Sequence, residues 1–411
     1  VTFPFKMAEG PPLQYKLYGQ CGKARAGTVT LPHGTFNTPA FMPVGTQGTI
    51  KGLTSEEVEE LGFGIILGNT YHLGHRPGPE ILKEMGGLHK FMNWNRNLLT
   101  DSGGFQMVSL LQLANITEEG VNFRSPHDGS QMLLTPEYSM SLQNTIGADI
   151  MMALDDVIAT TTTGPRIEEA MHRTLRWIDR CVAAHQRPRE QNLFGIVQGA
   201  LDPNLRRTCV DGLIRRDLPG YAIGGLSGGE SKDEFWRIVD LCTDLLPATK
   251  PRYLMGVGFT LDLVVCVALG VDMFDCVFPS RTARFGTALV RTGSINIRHS
   301  QYANDFRPLE EDCPCRVCKQ YTRAYLHLLS KSEQLSGQLL TFHNLAYQKR
   351  LMDDMREAIL DNTFPDFVID FMAGQFPKHD YPAWVVESLA SVNIKLRTPE
   401  HRNDEEEDAP N

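Results

Sequence analysis

The sequence predicts an α/β protein built on a (β/α)8, or TIM, barrel, with a zinc-binding subdomain near its C-terminus. Three observations predict this fold: eight short apolar runs, amphipathic segments between most of them, and three clustered cysteines after the last run. Parallel strands that are covered on both faces are apolar throughout, and strands that alternate with helices are typical of such barrels.

The eight predicted strands are spread over the first two thirds of the chain. They are 41–46, 65–71, 98–105, 149–156, 193–200, 221–226, 252–258 and 273–279. Helical patterns rich in Glu and Arg lie between them, for example at 54–62, 164–186 and 231–246. Eight strands in this alternation favour a closed barrel over a doubly wound sheet.

The remaining segments complete the predicted organisation. We assign residues 1–20 to an N-terminal extension, 21–295 to the barrel, 296–394 to the zinc-binding subdomain with closing helices, and 395–411 to an acidic, disordered tail. Asp128 and Gly129 predict the turn of a hairpin inserted at 121–134. The chain starts with Val1 rather than Met, and its first six residues contribute nothing to the fold prediction.

Composition excludes several classes of protein. The chain has 411 residues, of which 42% are hydrophobic and 22% are charged, and this excludes a disordered chain, a collagen-like fibre and a small disulfide scaffold. The apolar run 261–271 is too short for a membrane span of about 20 residues. The N-terminus lacks the basic and apolar regions of a secretory signal. The net charge of −9 argues against binding of nucleic acid over the whole surface.

The nine cysteines fall into two groups. Six are scattered singly, and we expect reduced thiols in a cytoplasmic protein rather than disulfides; they are Cys21, Cys181, Cys209, Cys242, Cys266 and Cys276. The other three, Cys313, Cys315 and Cys318, have the spacing of metal ligands. With His343 they form a Cys3His set that suits one structural Zn²⁺ per chain, without an open coordination position. His327 and Cys276 are alternatives to His343 as the fourth ligand.

Polar residues and glycines lie at or near the C-terminal ends of the predicted strands. They are Gly45, Asn69, Asp101, Asp155, Gln198, Gly225, Gly256 and Asp275. Active sites of (β/α)8 barrels lie at the C-terminal ends of the strands, so we expect these residues to meet at one mouth. The alternative is that they only form turns and helix caps.

The types of these residues suggest recognition of a flat heterocycle. The edge of such a heterocycle would form hydrogen bonds with the carboxylates, the Gln198 amide and the backbone around Gly225. Its two faces would pack against Phe105 and Met255. Asp155 and Asp156 are adjacent in a strand, so only one of them can face the mouth easily.

Two stretches carry basic residues without any acidic residue. Residues 276–304 contain four arginines, and residues 313–332 contain two arginines and two lysines. Residues 404–408 of the tail are all acidic, and removing those five charges from −9 leaves −4 for the rest. A local field of this kind attracts phosphates even on an acidic protein. The alternative is a solvated basic face without a partner.

Seven motifs then resemble those of one enzyme family. They are DSGGFQMVSL (101–110), MALDDV (152–157), GIVQGALD (195–202), YAIGGLSGGE (221–230), RYLMGVG (252–258), GVDMFDCVFPSRTARFG (270–286) and the cysteine pattern. Together they resemble the tRNA-guanine transglycosylases, and in detail the eukaryotic catalytic subunits that use queuine. The resemblance covers about 27–394 and implies exchange of the wobble guanine of GUN-anticodon tRNAs (for Asp, Asn, His and Tyr) for queuine, through a covalent ribosyl-enzyme.

The resemblance implies a role for each matching residue. Asp275 matches the nucleophile and Asp101 the general acid/base. The base-binding set is Ser102, Gly103, Gly104, Phe105, Asp155, Gln198, Gly225 and Met255. The RNA-binding set is Gly256, Val257, Gly258, Phe259, Thr260, Leu261, Asp262, Ser280, Arg281, Thr282, Ala283 and Arg284. Cys313, Cys315, Cys318 and His343 match the zinc ligands, and no organic cofactor is implied.

The resemblance also bears on the base and on the partners. Bacterial members carry Cys where this chain has Val157 and Val where it has Gly228, and the missing side chain at Gly228 would make room for queuine. The family implies a heterodimer with an accessory, non-catalytic paralogue, a cytoplasmic location and peripheral association with the mitochondrial outer membrane. No motif in the sequence supports the membrane association.

Two other functions compete with this interpretation. The chain would be a non-catalytic RNA-binding accessory subunit if the catalytic set were incomplete, but Asp101 and Asp275 are both present. A metal-dependent barrel hydrolase would instead need metal ligands beside these two carboxylates.

Overall fold

A computed structural model describes residues 13–104, 115–124, 129–331 and 334–397. The strands of these ranges are β1 (Gln14–Cys21), β2 (Ala24–Leu31), β3 (Gly34–Thr38), β4 (Ala40–Gly45), β5 (Ile65–Gly68), β6 (Asn97–Thr100), β7 (Asn115–Ile116), β8 (Val121–Arg124), β9 (Gln131–Leu134), β10 (Ile150–Met152), β11 (Asn192–Val197), β12 (Tyr221–Ile223), β13 (Arg252–Leu254), β14 (Met273–Cys276), β15 (Thr287–Val290) and β16 (Gly293–Asn296).

The helices of the first part of the chain are α1 (Ser55–Glu60), α2 (Thr70–His75), α3 (Pro79–Met85), α4 (Leu88–Met92), α5 (Pro136–Ile146), α6 (Pro165–Ala184), α7 (Pro203–Ile214), α8 (Lys232–Leu245), α9 (Thr260–Ala268) and α10 (Phe278–Arg284). The later helices are α11 (Arg316–Gln320), α12 (Arg323–Leu329), α13 (Gln334–Leu360), α14 (Phe364–Gln375) and α15 (Ala383–Ser391). A 3-10 turn spans Ser300–Tyr302.

Eight parallel strands close into a barrel, which confirms the predicted fold class. Their order is β4, β5, β6, β10, β11, β12, β13 and β14, and β14 pairs with β4 to close the ring. The barrel strands are almost wholly buried because apolar side chains cover both faces. Every one of the eight predicted runs overlaps one of these strands.

The N-terminal sheet closes one end of the barrel. Strands β1, β2 and β3 form an antiparallel sheet, so residues 14–20 of the predicted extension lie in a strand. Val29 and Phe36 of this sheet belong to one apolar cluster with the barrel residues Met42, Phe194 and Tyr253. Because this end is filled, substrate access is left to the opposite, C-terminal mouth of the strands.

Insertions and added helices surround the barrel. Strands β7, β8 and β9 form an antiparallel sheet in the region of the predicted hairpin, whose turn residue Asp128 lies outside the described residues. The 27-residue helix α13 packs against α10, β15 and the N-terminal sheet. Residues 398–411, where the acidic tail was predicted, also lie outside the described residues. Among the described helices, none is long and apolar enough to cross a membrane.

Candidate active site and metal centre

The predicted polar residues lie at the C-terminal ends of the barrel strands. Asn69 directly follows β5, Asp101 follows β6, Gln198 follows β11, and Asp275 is the third residue of β14. Asp155 lies three residues beyond β10. Because the strands are parallel and form a closed ring, these residues share one mouth, and this is the expected position of a barrel active site.

Asp275 is held by two hydrogen bonds to one of its oxygens. The Tyr253 hydroxyl donates to Oδ1 over 2.6 Å, and the Gly256 amide donates to the same oxygen over 2.7 Å. Gly256 adopts φ +74°, a left-handed conformation that glycine tolerates best. Burial, with a smaller contribution from the nearby charge of Asp101, raises the pKa of Asp275 to about 6 against the two hydrogen bonds, which lower it. This orientation favours Oδ2 as the oxygen directed to a substrate.

Asp101 is fixed by residues at the start of α2. The Asn69 amide donates to its Oδ2, and the Thr70 backbone amide donates to Oδ1 over 2.8 Å. The Thr70 hydroxyl donates to the Asp101 carbonyl. These contacts hold a buried carboxylate in a single orientation, as a proton-transfer group requires.

Asp155 and Gln198, together with Ser102, form a buried polar group at the barrel mouth, which we name the polar pocket. The Gln198 amide donates to Asp155 Oδ2 over 2.7 Å, and the Ser102 hydroxyl donates to Oδ1 over 3.1 Å. Burial raises the pKa of Asp155 to about 6, although both hydrogen bonds favour the charged form. The buried Gln198 Oε1 has no hydrogen-bond partner among the described residues, so it is left to accept from a ligand.

Asp156 points away from this pocket, as the alternation of a strand predicts. Its carboxylate forms ion pairs with Arg166 and Arg173, each over 2.6 Å, and its backbone amide donates to Thr174. Asp155 therefore lies at the mouth, whereas Asp156 contacts residues of helix α6.

Glycines bring backbone close to the pocket. A Cβ atom on Gly225 would lie 2.4 Å from Gln198 Oε1, and one on Gly224 would lie 2.6 Å from Ile196. Gly225 also has φ +66°. Met255 Sδ lies 3.5 Å from the Cβ position of Gly224, beside the same loop. Any side chain at these two glycines would therefore disturb the pocket.

Other predicted base-binding residues lie nearby or outside the described ranges. Gly103 has φ +82°, and the Gly104 amide donates to the Ser102 hydroxyl over 3.3 Å. Phe105, the predicted stacking face, lies outside the described residues. Gly228 approaches Thr160, since a Cβ on it would lie 2.4 Å from Thr160 Oγ1, so its missing side chain permits this contact.

The two predicted RNA-binding segments flank Asp275 but are only partly exposed. Arg281 and Arg284 are exposed on α10, and Phe259 is exposed with its ring 4.2 Å from that of Phe278. Gly256 is exposed as well. Five members of the set are buried and three are half-buried: Val257, Gly258, Asp262, Ser280 and Ala283 are buried, and Thr260, Leu261 and Thr282 are half-buried. Asp262 forms an ion pair with Lys232.

The second basic stretch is partly neutralised. Arg316 pairs with Glu57 and Glu60 of α1, and Arg323 pairs with Asp305. The local positive charge is therefore smaller there than the linear sequence suggests, because acidic residues distant in sequence lie against these arginines.

The three clustered cysteines and His343 converge in a buried group. The Sγ atoms of Cys313, Cys315 and Cys318 lie 3.9, 3.6 and 3.3 Å from His343 Nδ1. His343 Nε2 lies 2.8 Å from the Leu289 carbonyl, which fixes Nδ1 as the nitrogen that faces the thiols. This donor set fits a metal ion.

The alternative fourth ligands lie elsewhere. His327 Nδ1 is 2.8 Å from the Ile297 carbonyl, and Cys276 lies beside Gly258 and Phe278. Among the described residues, the other group that could hold a metal is His33, His89 and Asp149, and neither group contains Asp101 or Asp275. This argues against the metal-dependent hydrolase.

Several residues that build the site are not predicted by the sequence. Tyr253, Thr70 and the amide of Asn69 orient the two carboxylates. The fully buried Arg206 donates to the carbonyls of Ala200, Val197 and Gly224. Of these residues, the sequence predicts only Asn69 at the mouth, from its position near the end of a predicted strand, and it does not predict the bond from Asn69 to Asp101.

Comparisons with known proteins agree with this geometry. The sequence profile described as "Queuine tRNA-ribosyltransferase" matches residues 20–377. The chain is 55% identical over 397 residues to a "Queuine tRNA-ribosyltransferase catalytic subunit" of Schizosaccharomyces pombe, covering 94% of this chain and 98% of that protein. It is 49% identical over 399 residues to the protein of the same name from Caenorhabditis elegans, covering 93% and 100%.

A bacterial relative is similar to nearly the same extent. The "Queuine tRNA-ribosyltransferase" of Lysinibacillus sphaericus is 50% identical over 364 residues, covering 88% of this chain and 96% of that protein. The length of these matches and the carboxylates at the barrel mouth indicate the same family. The chain belongs to the queuine tRNA-ribosyltransferase family.

Proposed function

We propose that this chain exchanges the wobble guanine of tRNAs with a GUN anticodon for queuine. The observation that carries the proposal is the pair of oriented carboxylates, Asp101 and Asp275, at the open mouth of the barrel. The relatives named as catalytic subunits support the same activity. A non-catalytic accessory subunit would not need this pair of carboxylates.

In the first step, Asp275 attacks C1′ of the flipped-out nucleotide. A bond forms between a carboxylate oxygen and C1′ while the bond from C1′ to N9 of guanine breaks. The electron pair of that bond stays on guanine, and Asp101, which has to carry a proton at this stage, gives that proton to the leaving base and is left ionised. Tyr253 and Gly256 hold Oδ1, which leaves Oδ2 for the attack.

In the second step, queuine takes the place of guanine. Asp101, now ionised, accepts the proton from the attacking nitrogen of queuine. That nitrogen forms a bond to C1′, and the ester bond to Asp275 breaks with its electrons returning to the carboxylate. The strand stays intact because one bond at C1′ replaces another, so the reaction needs no organic cofactor.

The polar pocket supplies recognition of the base. Asp155 and Gln198 present acceptors, including the unpartnered Gln198 Oε1, and the Gly225 segment presents backbone atoms. Met255 lies beside the loop, and we propose Phe105 as the opposite stacking face.

An exchange assay tests this proposal. Tyrosine tRNA bearing radiolabelled guanine at the wobble position should lose label when the purified chain, with its accessory partner if required, receives queuine. A tRNA with adenine at that position is the control. Retention of label in the cognate tRNA would contradict the proposed activity.

The pH dependence should report the ionisation of Asp275. Burial raises its pKa to about 6, and only the ionised carboxylate attacks, so kcat/KM should fall as the pH falls through about 6. The Tyr253→Phe variant loses a hydrogen bond that lowers this pKa, so the acid limb should move to higher pH. Asp155 also has its pKa raised to about 6, and Ser102→Ala is the comparison for that group. If the acid limb of the pH profile moved in Ser102→Ala but not in Tyr253→Phe, the limb would not report the ionisation of Asp275.

We propose that the Cys3His group holds one structural Zn²⁺. Three thiolates and one imidazole suit tetrahedral zinc, and bound zinc would tie α11 and α13 to β15. The Cys315→Ser variant should lose about one equivalent of zinc and the cooperative unfolding of the C-terminal part, measured by metal analysis and thermal denaturation. Cys242→Ser, which removes a buried thiol outside the group, is the control. Full zinc content in Cys315→Ser would contradict this ligand set.

We also propose a heterodimer with a non-catalytic paralogue in the cytoplasm. Tyr325 and Leu328 are exposed apolar side chains on α12, available to a partner surface. Free thiols support a reducing compartment. A chain that is monomeric and fully active alone would contradict the need for the partner.

A further inference from the structure

Three side chains that can bind a metal meet at the closed end of the barrel, opposite the mouth with the two catalytic carboxylates. They are His33, His89 and Asp149, which we name the histidine–aspartate group, and one ligand atom of each lies within 4.8 Å of the others. Asp149 directly precedes β10, at the N-terminal end of the barrel strands. His33 lies in the turn between β2 and β3, and His89 is the second residue of α4. Three separate segments therefore contribute to one group.

Asp149 is the centre of this group. Its side chain is fully buried, its Oδ1 lies 2.7 Å from His33 Nδ1, and its Oδ2 lies 3.2 Å from His89 Nε2. The Leu98 backbone amide donates to Oδ2 over 2.8 Å and so fixes the orientation of the carboxylate. Zn–N and Zn–O bonds are about 2.0–2.2 Å long, so the ligand atoms of a tetrahedral site lie about 3.4 Å apart. A small outward movement of the two rings would therefore admit an ion.

A backbone oxygen adds a fourth donor to the group. The Arg96 carbonyl oxygen lies 3.0 Å from His89 Nε2. This nitrogen thus faces two oxygens, one from Asp149 and one from Arg96, and a single proton on it cannot satisfy both of them fully. A metal ion at the same point would accept electron pairs from the nitrogen and from both oxygens.

The two imidazoles of the group are stacked on each other. Their ring centroids are 3.7 Å apart and their planes meet at 14°. Two protonated rings would therefore place two positive charges face to face against one carboxylate, and like charges at this distance repel each other. A metal binds the neutral form of imidazole, so a divalent cation would balance the charge of Asp149 without protonation of either ring.

The group can be reached from solvent on one side. The side chain of His33 is 27% exposed, whereas that of His89 is 11% exposed. His33 therefore marks the side from which an ion can enter, and a water molecule there could complete its coordination.

We propose that the histidine–aspartate group is a second metal site, which takes Zn²⁺. Its ligands are His33 Nδ1, His89 Nε2, the Asp149 carboxylate and the Arg96 carbonyl oxygen. Two imidazoles with two oxygens suit a borderline divalent ion such as zinc, whereas Ca²⁺ and Mg²⁺ prefer oxygen ligands alone. The bound ion ties the N-terminal sheet and α4 to the start of β10, so it stabilises the closed end of the barrel. The inference does not depend on the proposed function.

A titration with cobalt tests the proposal. The chain that already carries one equivalent of zinc receives Co²⁺, whose absorption spectrum distinguishes between types of ligand. Co²⁺ bound by thiolates has intense charge-transfer bands, whereas Co²⁺ bound by nitrogen and oxygen has only weak ligand-field bands. We expect the wild type to bind one further equivalent of Co²⁺ without charge-transfer bands, and we expect added Zn²⁺ to displace it.

Two double variants assign the second equivalent to its ligands. His33→Gln/His89→Gln removes both imidazoles of the group, and His172→Gln/His299→Gln removes two exposed imidazoles outside it as the matched control. The first variant should bind no second equivalent, and the control should bind Co²⁺ as the wild type does. If the first variant does not fold, His33→Gln alone should weaken the binding about 100-fold, the upper end of what the loss of a supporting residue causes.

Thermal unfolding gives an independent measurement. Added Zn²⁺ at about 100 times its dissociation constant should raise the Tm of the wild type and of the control by about 3 °C, and should leave the Tm of His33→Gln/His89→Gln unchanged. A wild type that binds no second equivalent would overturn the proposal, because hydrogen bonds alone would then hold the two rings against Asp149. A second equivalent that the variant without both imidazoles still binds would overturn it as well.

Discussion

Replacing Asp275 by Asn should lower the rate of guanine exchange roughly 10⁴-fold or more. The amide cannot form the ester to C1′, and loss of a covalent nucleophile removes the whole reaction path rather than one stabilising contact. The measurement is release of radiolabelled guanine from a cognate tRNA, with equal concentrations of folded wild type and variant. Equal rates would show that another group attacks C1′.

The variant should keep its fold. Because burial raises the pKa of Asp275 to about 6, above the unfolded value, its charged form opposes folding above that unfolded value. Asn fills the same volume without a charge, so the thermal unfolding temperature at pH 7 should not fall. RNA affinity should also stay close to that of the wild type. A fall in unfolding temperature would mean that lost activity reports lost structure.

Replacing Asp101 by Asn should have the second-largest effect, a fall in exchange of roughly 10²- to 10⁴-fold. Asn keeps an acceptor for the Thr70 amide but cannot accept a proton from queuine. The second step should therefore slow, and any ribosyl-enzyme that forms should persist longer than in the wild type. The measurement is single-turnover exchange together with the fraction of chain carrying RNA after denaturation.

The matched control for Asp101 is Asn69→Ser. It removes the amide donor to Asp101 while the carboxylate remains, so the fall in exchange should be smaller than for Asp101→Asn. A rate for Asp101→Asn within tenfold of the wild type would contradict the acid/base role. A rate for Asn69→Ser below that of Asp101→Asn would indicate that orientation outweighs proton transfer.

The barrel was predictable because its signals are local. Each buried strand is an apolar run, and residues such as Asp101 and Gln198 directly follow one. Closure of the ring then brings the C-terminal ends of the strands together, independently of how the helices pack. The spacing of Cys313, Cys315 and Cys318 is equally local, and the geometry of α13 selects His343 over His327.

Other features depend on contacts between distant segments and carry no local signal. In the sequence, Tyr253 cannot be distinguished from the other apolar residues of its strand. Its hydroxyl contacts Asp275 only because the barrel brings the two strands together. The sheet that fills the N-terminal end depends on the packing of Val29 against barrel side chains. The pairing of Arg316 with Glu57 joins residues that are 259 positions apart, so the charge of a linear stretch overstated the field.

The most direct test of the central claim is to map the covalent ribosyl-enzyme. The wild-type chain is incubated with a guanine-containing cognate tRNA without queuine, denatured, digested with ribonuclease and protease, and analysed by mass spectrometry. We expect a ribose-linked peptide that carries the modification on Asp275, and we expect it to disappear when queuine is added. A modification on a different residue, or efficient exchange through a chain that never carries RNA, would show that Asp275 is not the nucleophile.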